Sequence, residues 1–74
     1  VTESVLDRLT LRELEILGYL AVGRSSKIIA RKLDLAESTI KVHVQNILRT
    51  LEVTSRVQAA VFAVQHNVVQ PLDQ

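Results

Sequence analysis

Apolar residues return every three or four positions along most of this chain. Leu14, Leu17 and Leu20 form one such series, and Ile29, Ala30 and Leu33 a second. Ile40, Val44, Ile47, Leu48 and Leu51 form a third. At about 100° per residue each series falls on one side of a helix and predicts a face turned to a common core. Capping residues set the boundaries. Thr10-Leu11-Arg12-Glu13 has the form of a capping box, in which the hydroxyl and the carboxylate each satisfy the other residue's backbone donor, with Leu9 and Leu14 at the staple positions. Gly23 supplies a left-handed stop, so the first helix is expected at about 11–22. Ser25 or Ser26 caps a second helix at about 26–33, too short to persist alone. Asp34-Leu35-Ala36 then breaks the pattern, Asp being one of the residues that accept turn conformations. The third helix is expected at 37–51. Ser55-Arg56-Val57-Gln58 reads as a second capping box and opens a fourth at about 56–66. Residues 1–8 read as the end of a linker, 9–66 as the domain, and 67–74 as a loose tail. The expected class is all-α, a compact four-helix bundle with a helix-turn-helix at its centre.

Composition narrows this picture without changing it. Seventy-four residues make one domain, and a chain of this length buries only about 60% of its unfolded surface. With no Cys, there is neither a disulfide framework nor a thiolate metal site. No apolar run approaches the roughly 20 residues that span a bilayer, and no signal-peptide pattern opens the chain. A soluble, cytoplasmic protein is expected, and a start at Val1 reads as a piece of something longer.

Charge matters through its distribution. The formal net charge is only +1. Residues 1–23 set Arg8 and Arg12 against Glu3, Asp7, Glu13 and Glu15. Residues 24–56 set Arg24, Lys27, Arg31, Lys32, Lys41, Arg49 and Arg56 against Asp34, Glu37 and Glu52. A basic middle after a mildly acidic start is the footprint expected for phosphate contact, although basic faces are more often plain solvated surface.

The second and third helices, joined by a three-residue turn with the small Ala30 at the crossing, have the form of a helix-turn-helix. Such pairs also occur in proteins that never touch DNA. The outer face of the third helix favours nucleic acid. Lys41 and Gln45, one turn apart, suit base edges, and the exposed Val42 between them suits a thymine methyl. Ser38, Thr39 and Arg49 are placed to hold phosphates, with Lys27 on the second helix. An ordinary solvated face is the alternative. His43, on the border between core and outer face, reads as a partly buried packing residue in preference to a DNA contact. Arg56 reads as pairing with Glu13 or Glu15, ahead of touching phosphate.

These residues carry a family resemblance. The chain resembles the LuxR-type helix-turn-helix domain, the C-terminal output domain of NarL/FixJ response regulators and of quorum-sensing regulators. The matching stretches are Leu9-Thr10 with Arg12-Glu13 and Glu15-Ile16-Leu17, Gly23 with Ser25 and Lys27, Ile29-Ala30 with Leu33, and Ser38-Thr39-Ile40-Lys41-Val42-His43. They continue through Asn46-Ile47-Leu48, Leu51 with Val53, and Ser55-Arg56 with Ala59, and so cover about residues 9–66. The resemblance implies a four-helix domain with the third helix in the major groove and Lys41, Val42 and Gln45 at the base-reading positions. It also implies a fourth helix that makes a two-fold dimer contact on an inverted-repeat site, with RNA polymerase as a further partner. Four positions depart from the family's habit. Leu11 stands where Pro is frequent, Ile28 where Glu is usual, Ala36 where a Ser or Thr cap is common, and Gln45 where many members carry Lys. The missing cap should weaken the start of the third helix by roughly 1 kcal/mol.

The fourth helix has almost no polar side: Val57, Ala59, Ala60, Val61, Phe62, Ala63 and Val64 follow one another. One face can bury against the first helix while the other meets water or a partner, and a dimer contact through Val57, Val61 and Val64 accounts for the surplus. Catalysis finds no support, since no nucleophile–base arrangement, glycine-rich phosphate loop or apolar carboxylate pair is evident. No cofactor or metal is expected. The expected function is sequence-specific duplex binding by the output domain of a bacterial transcription regulator, a two-component response regulator first. The rivals are a quorum-sensing regulator, a module docking on an acidic protein such as polymerase, and the related fourth region of sigma factors.

Overall fold

The computed structural model describes residues 5–68, so residues 1–4 of the expected linker end and 69–74 of the expected tail lie outside the described residues. A 3-10 turn at Val5–Arg8 precedes α1 (Leu11–Ala21), α2 (Ser26–Leu33), α3 (Glu37–Leu51) and α4 (Arg56–Gln65), and no strand occurs among the described residues. The second and third helices coincide with their sequence boundaries, and the first and fourth end one residue earlier.

Local chemistry explains where each helix begins. At α1 the Glu13 backbone N–H donates to Thr10 Oγ1 at 3.1 Å and the Thr10 N–H donates to Glu13 Oε1 at 2.9 Å, a complete capping box. Ser25, not Ser26, caps α2, its Oγ accepting from the Ile28 N–H at 3.3 Å. Ala36 occupies the cap position of α3 and offers no side-chain acceptor. At α4 the expected box is only half formed. The Gln58 N–H donates to Ser55 Oγ at 3.2 Å, but the Gln58 carbonyl oxygen accepts from the N–H of Thr54, at 2.8 Å, and from its hydroxyl, at 3.1 Å. Ser55 has φ −145°, against −72° at Thr10. That rotation turns its N–H away from the helix, and Gln58 takes the donor one residue earlier.

The helix ends share a device that goes beyond the expected glycine. Gly23 adopts φ +79° and closes α1, with the Gly23 N–H on the Leu20 carbonyl and the Arg24 N–H on that of Tyr19. Asp34, Glu52 and Asn67 take the same left-handed conformation, with φ between 58° and 60°. Each is followed by an apolar residue (Leu35, Val53 or Val68) that packs against the core. Its N–H donates back to the helix just ended, to Ala30, Leu48 and Ala63 respectively.

Ile16, Leu17, Ile29, Ile40 and Ile47 are fully enclosed at the centre. Helix α1 packs against α4 and α3, α2 against α3, and the 3-10 turn against α3. Val5 and Leu6, within the stretch read as a linker end, thus lie on the core. Ala59 and Ala63, one turn apart on α4, are completely buried, so the seat of α4 on the bundle centres on methyl groups, with the partly buried Phe62 packed against the same core. Buried Ala30 plays the same part on α2.

Candidate nucleic-acid interface

The site is built outward from α3. Ile40, Val44, Ile47 and Leu51 are buried and fix the rotation of the helix about its axis. With those four inward, Ser38, Lys41, Val42, Gln45 and Arg49 must face away from the bundle, and all five are exposed, as is Thr39. Val42 is 59% exposed, although an apolar side chain gains nothing from water. Lys41 Nζ lies 3.7 Å from Glu37 Oε2 one turn earlier. The two side chains are 67% and 48% exposed, so the pair is loosely held and worth at most about 0.5 kcal/mol. Lys41 can leave it for a stronger acceptor at little cost.

Lys27, in the first turn of α2, is exposed, as are Arg31 and Lys32. The candidate base-reading and phosphate-contacting residues are therefore all accessible. His43 is half-buried, as expected of a packing residue, and its Nδ1 is enclosed with no hydrogen-bond partner among the described residues. Among the described residues no cluster of three or more His, Cys, Asp or Glu side chains stands ready to hold a metal ion, and no helix is long and apolar enough to cross a membrane.

Arg56 corrects the sequence expectation. Its Nη1 donates to Ser26 Oγ at 3.1 Å and its Nη2 to the Arg24 carbonyl at 3.1 Å, so it binds α4 to the first turn of α2 and not to the carboxylates of α1. Thirty residues separate Arg56 from Ser26, a pairing that no local pattern announces. The available signal was the doubled serine: once Ser25 caps the helix, a buried Ser26 hydroxyl needs a partner from elsewhere.

On α4, Val57, Val61 and Val64 are 72%, 51% and 54% exposed. They border shallow apolar hollows shared with Leu20, Ala21 and Ala60 on one side and Val53 and Phe62 on the other.

Residues 7–63 match the family described as bacterial regulatory proteins, luxR family. The chain is 46% identical over 67 residues to the nitrate/nitrite response regulator protein NarL of Escherichia coli K12, covering 90% of the chain and 31% of that protein. It is 47% identical over 67 residues to the response regulator protein VraR of Staphylococcus aureus, covering 90% of the chain and 32% of the relative. To the uncharacterized transcriptional regulatory protein YhcZ of Bacillus subtilis it is 49% identical over 61 residues, covering 82% of the chain and 28% of the relative. The chain spans about a third of the length of the curated relatives it matches. With a family match over most of its length and a solvent-facing third helix on a four-helix frame, this chain belongs to the luxR family of bacterial regulatory proteins, as the DNA-binding helix-turn-helix domain of a transcription regulator.

Proposed function

We propose that this domain is the output end of a response regulator that reads an inverted-repeat operator with α3 in the major groove. One observation carries the reading. The long third helix buries a single apolar face and leaves the opposite face uncovered, and that face is lined by hydrogen-bonding and cationic side chains around one exposed valine. Lys41 and Gln45 meet base edges and Val42 meets a thymine methyl. Lys27, Ser38, Thr39 and Arg49 hold phosphates and set the register of the helix. Helix α4 supplies a two-fold contact through Val57, Val61 and Val64, and the symmetry of that contact requires two half-sites in inverted order. The response-regulator relatives support an output domain of a two-component system working in the cytoplasm, with RNA polymerase as the partner that receives the output.

The test separates base reading from phosphate contact. Lys41→Ala should cost about 1–3 kcal/mol on the preferred site and much less on scrambled DNA. Arg49→Ala should weaken both duplexes by similar factors and lower the salt dependence of binding. Equal losses for both variants on both duplexes would refute these roles. Binding that does not weaken with salt would point to a protein partner instead of DNA.

A further inference from the structure

The contact between α4 and α2 leaves, beside the proposed DNA face, a positive charge that has no counter-ion among the described residues. Arg56 opens α4 and reaches across to α2, and both of its acceptors, the Ser26 hydroxyl and the Arg24 carbonyl, are uncharged. A guanidinium carries five N–H donors, and described residues engage two of them here. Next to it lies an open cleft of about 180 Å³ whose lining is Ser26, Lys41, Val44, Gln45, Leu48 and Arg56. Val44 and Leu48 contribute apolar surface, and the other four are the cleft's polar members. Two are cations from different helices, one is an amide, and one is a hydroxyl that accepts from Arg56 and keeps its own proton to donate. Among the described residues no carboxylate lines the cleft, and the nearest to its cations is Glu37, loosely paired with Lys41.

We propose that this cleft seats a phosphodiester group of the DNA backbone, with Arg56 as its anchoring cation. The proposal rests on the DNA-binding reading above and adds a contact from the fourth helix to a set otherwise drawn from α2 and α3. The ligand chemistry follows from the lining. A group with several acceptor oxygens and a negative charge satisfies the free guanidinium donors and the Ser26 proton together, which leaves Lys41 and Gln45 for the base edges. The rigid fork of Arg56 is already fixed by its two neutral acceptors, so little side-chain freedom remains to be lost on binding. Lys41 and Gln45 stand on the side of α3 where the cleft meets the proposed base-reading face. A phosphate held here would therefore fix the depth at which those two side chains enter the groove.

The alternative is that Arg56 is only a strut between α4 and α2, and the salt dependence of binding distinguishes the two. Binding of the whole chain to preferred and scrambled duplexes is measured across a salt series for the wild type, Arg56→Gln and Arg56→Lys. Loss of one phosphate contact lowers the log–log slope by about 0.9. Arg56→Gln is expected to show that loss equally on both duplexes, while Arg56→Lys keeps the wild-type slope. Should Arg56→Gln fail to fold, the wild type decides by magnetic resonance: the Arg56 Nε–H signal is expected to move when duplex is added. An unchanged slope in folded Arg56→Gln, or a stationary Nε–H signal, makes Arg56 a strut and overturns the proposal. Saturation of the same signal by millimolar inorganic phosphate alone makes a free anion the ligand and overturns the backbone assignment. A wild type that binds no duplex at all overturns the DNA-binding reading beneath it, and that result is distinct from the others.

Discussion

The recognition helix starts on a residue that cannot cap it. Ala36 sits at φ −71°, ψ 146°, close to the values at Thr10 (−72°, 165°) and Ser25 (−76°, 161°). In those two residues the side-chain oxygen accepts from the N–H three positions on, at 3.1 Å and 3.3 Å. A serine at position 36 would thus meet the Thr39 N–H with no backbone adjustment, and because Ala36 is exposed its hydroxyl would lose little hydration. Ala36→Ser should stabilise the domain by about 1 kcal/mol. For a domain of this size that corresponds to a rise in Tm of roughly 4–8 °C. Thermal unfolding followed by circular dichroism checks the shift. A urea titration should move its midpoint at constant slope, because no surface changes hands. Ala36→Asp should add a further 0.3–1 kcal/mol from the helix dipole, yet it places a negative charge within three residues of Ser38 and Thr39, so its DNA affinity should fall while Ala36→Ser keeps its own. A Tm for Ala36→Ser within one degree or so of the wild type would refute the inference that α3 lacks a cap it has the geometry to use.

Three further outcomes follow from the packing. Ile47 is fully enclosed, so Ile47→Ala should cost about 2–5 kcal/mol, a large share of what a domain this small possesses; a mutant melting within a few degrees of the parent would mean that α3 is rotated differently. Glu52 holds φ +59°, which costs a side-chain-bearing residue roughly 1–2 kcal/mol. Glu52→Gly should raise the urea midpoint by the equivalent of about 0.5–1 kcal/mol once the added freedom of the unfolded chain is offset, and a lowered midpoint would contradict the strain. Val61→Glu places a charge on the half-exposed face of α4 and should leave half-site binding intact while abolishing cooperative filling of the inverted repeat. A gel-shift titration reads this as two independent steps, and retained cooperativity would remove α4 from the dimer contact.

Much of the fold was legible because its determinants are local. The Thr10–Glu13 box, the Ser25 cap and Gly23 each act within a few residues, and the helix boundaries they predict agree with the structure to within one residue. The apolar stripe of α3 is legible in the sequence because periodicity on a long helix leaves little choice of inward face. What escaped depends on tertiary contact or on the φ of a single residue. Arg56 carried a charge that two carboxylates of α1 could have matched, and it chose neutral acceptors on α2 because α4 begins beside that helix. Gln58 was assigned to Ser55 from spacing alone, and the extended φ of Ser55 passed it to Thr54. Glu52 and Asn67 gave no turn signal of glycine's strength, since it is the burial of Val53 and Val68 that forces the bend before them. The candidate DNA contacts were legible as a face, because that face is whatever the core leaves over. The cleft beside Arg56 was not, because it exists only where three helices meet.

The helices in most extensive contact, α1 and α4, are also the first and last along the chain. That arrangement bears on how the domain assembles. The neighbours α2 and α3 can meet early, through a connection of three residues, but α2 has only eight residues and cannot hold helical structure unaided. Lasting burial waits until α4 returns to α1 across the roughly 35 residues between their facing ends, and the entropy of closing that loop precedes the burial that offsets it. Because Ile16 and Leu17 on α1 share one core with Ala59 and Ala63 on α4, opening this clasp uncovers the whole interior in one event. Hydrogen exchange should then find the central amides of all four helices released together at the global free energy, with only the helix ends fraying beneath it. The ten residues of α4 are in that sense as necessary to folding as any that precede them.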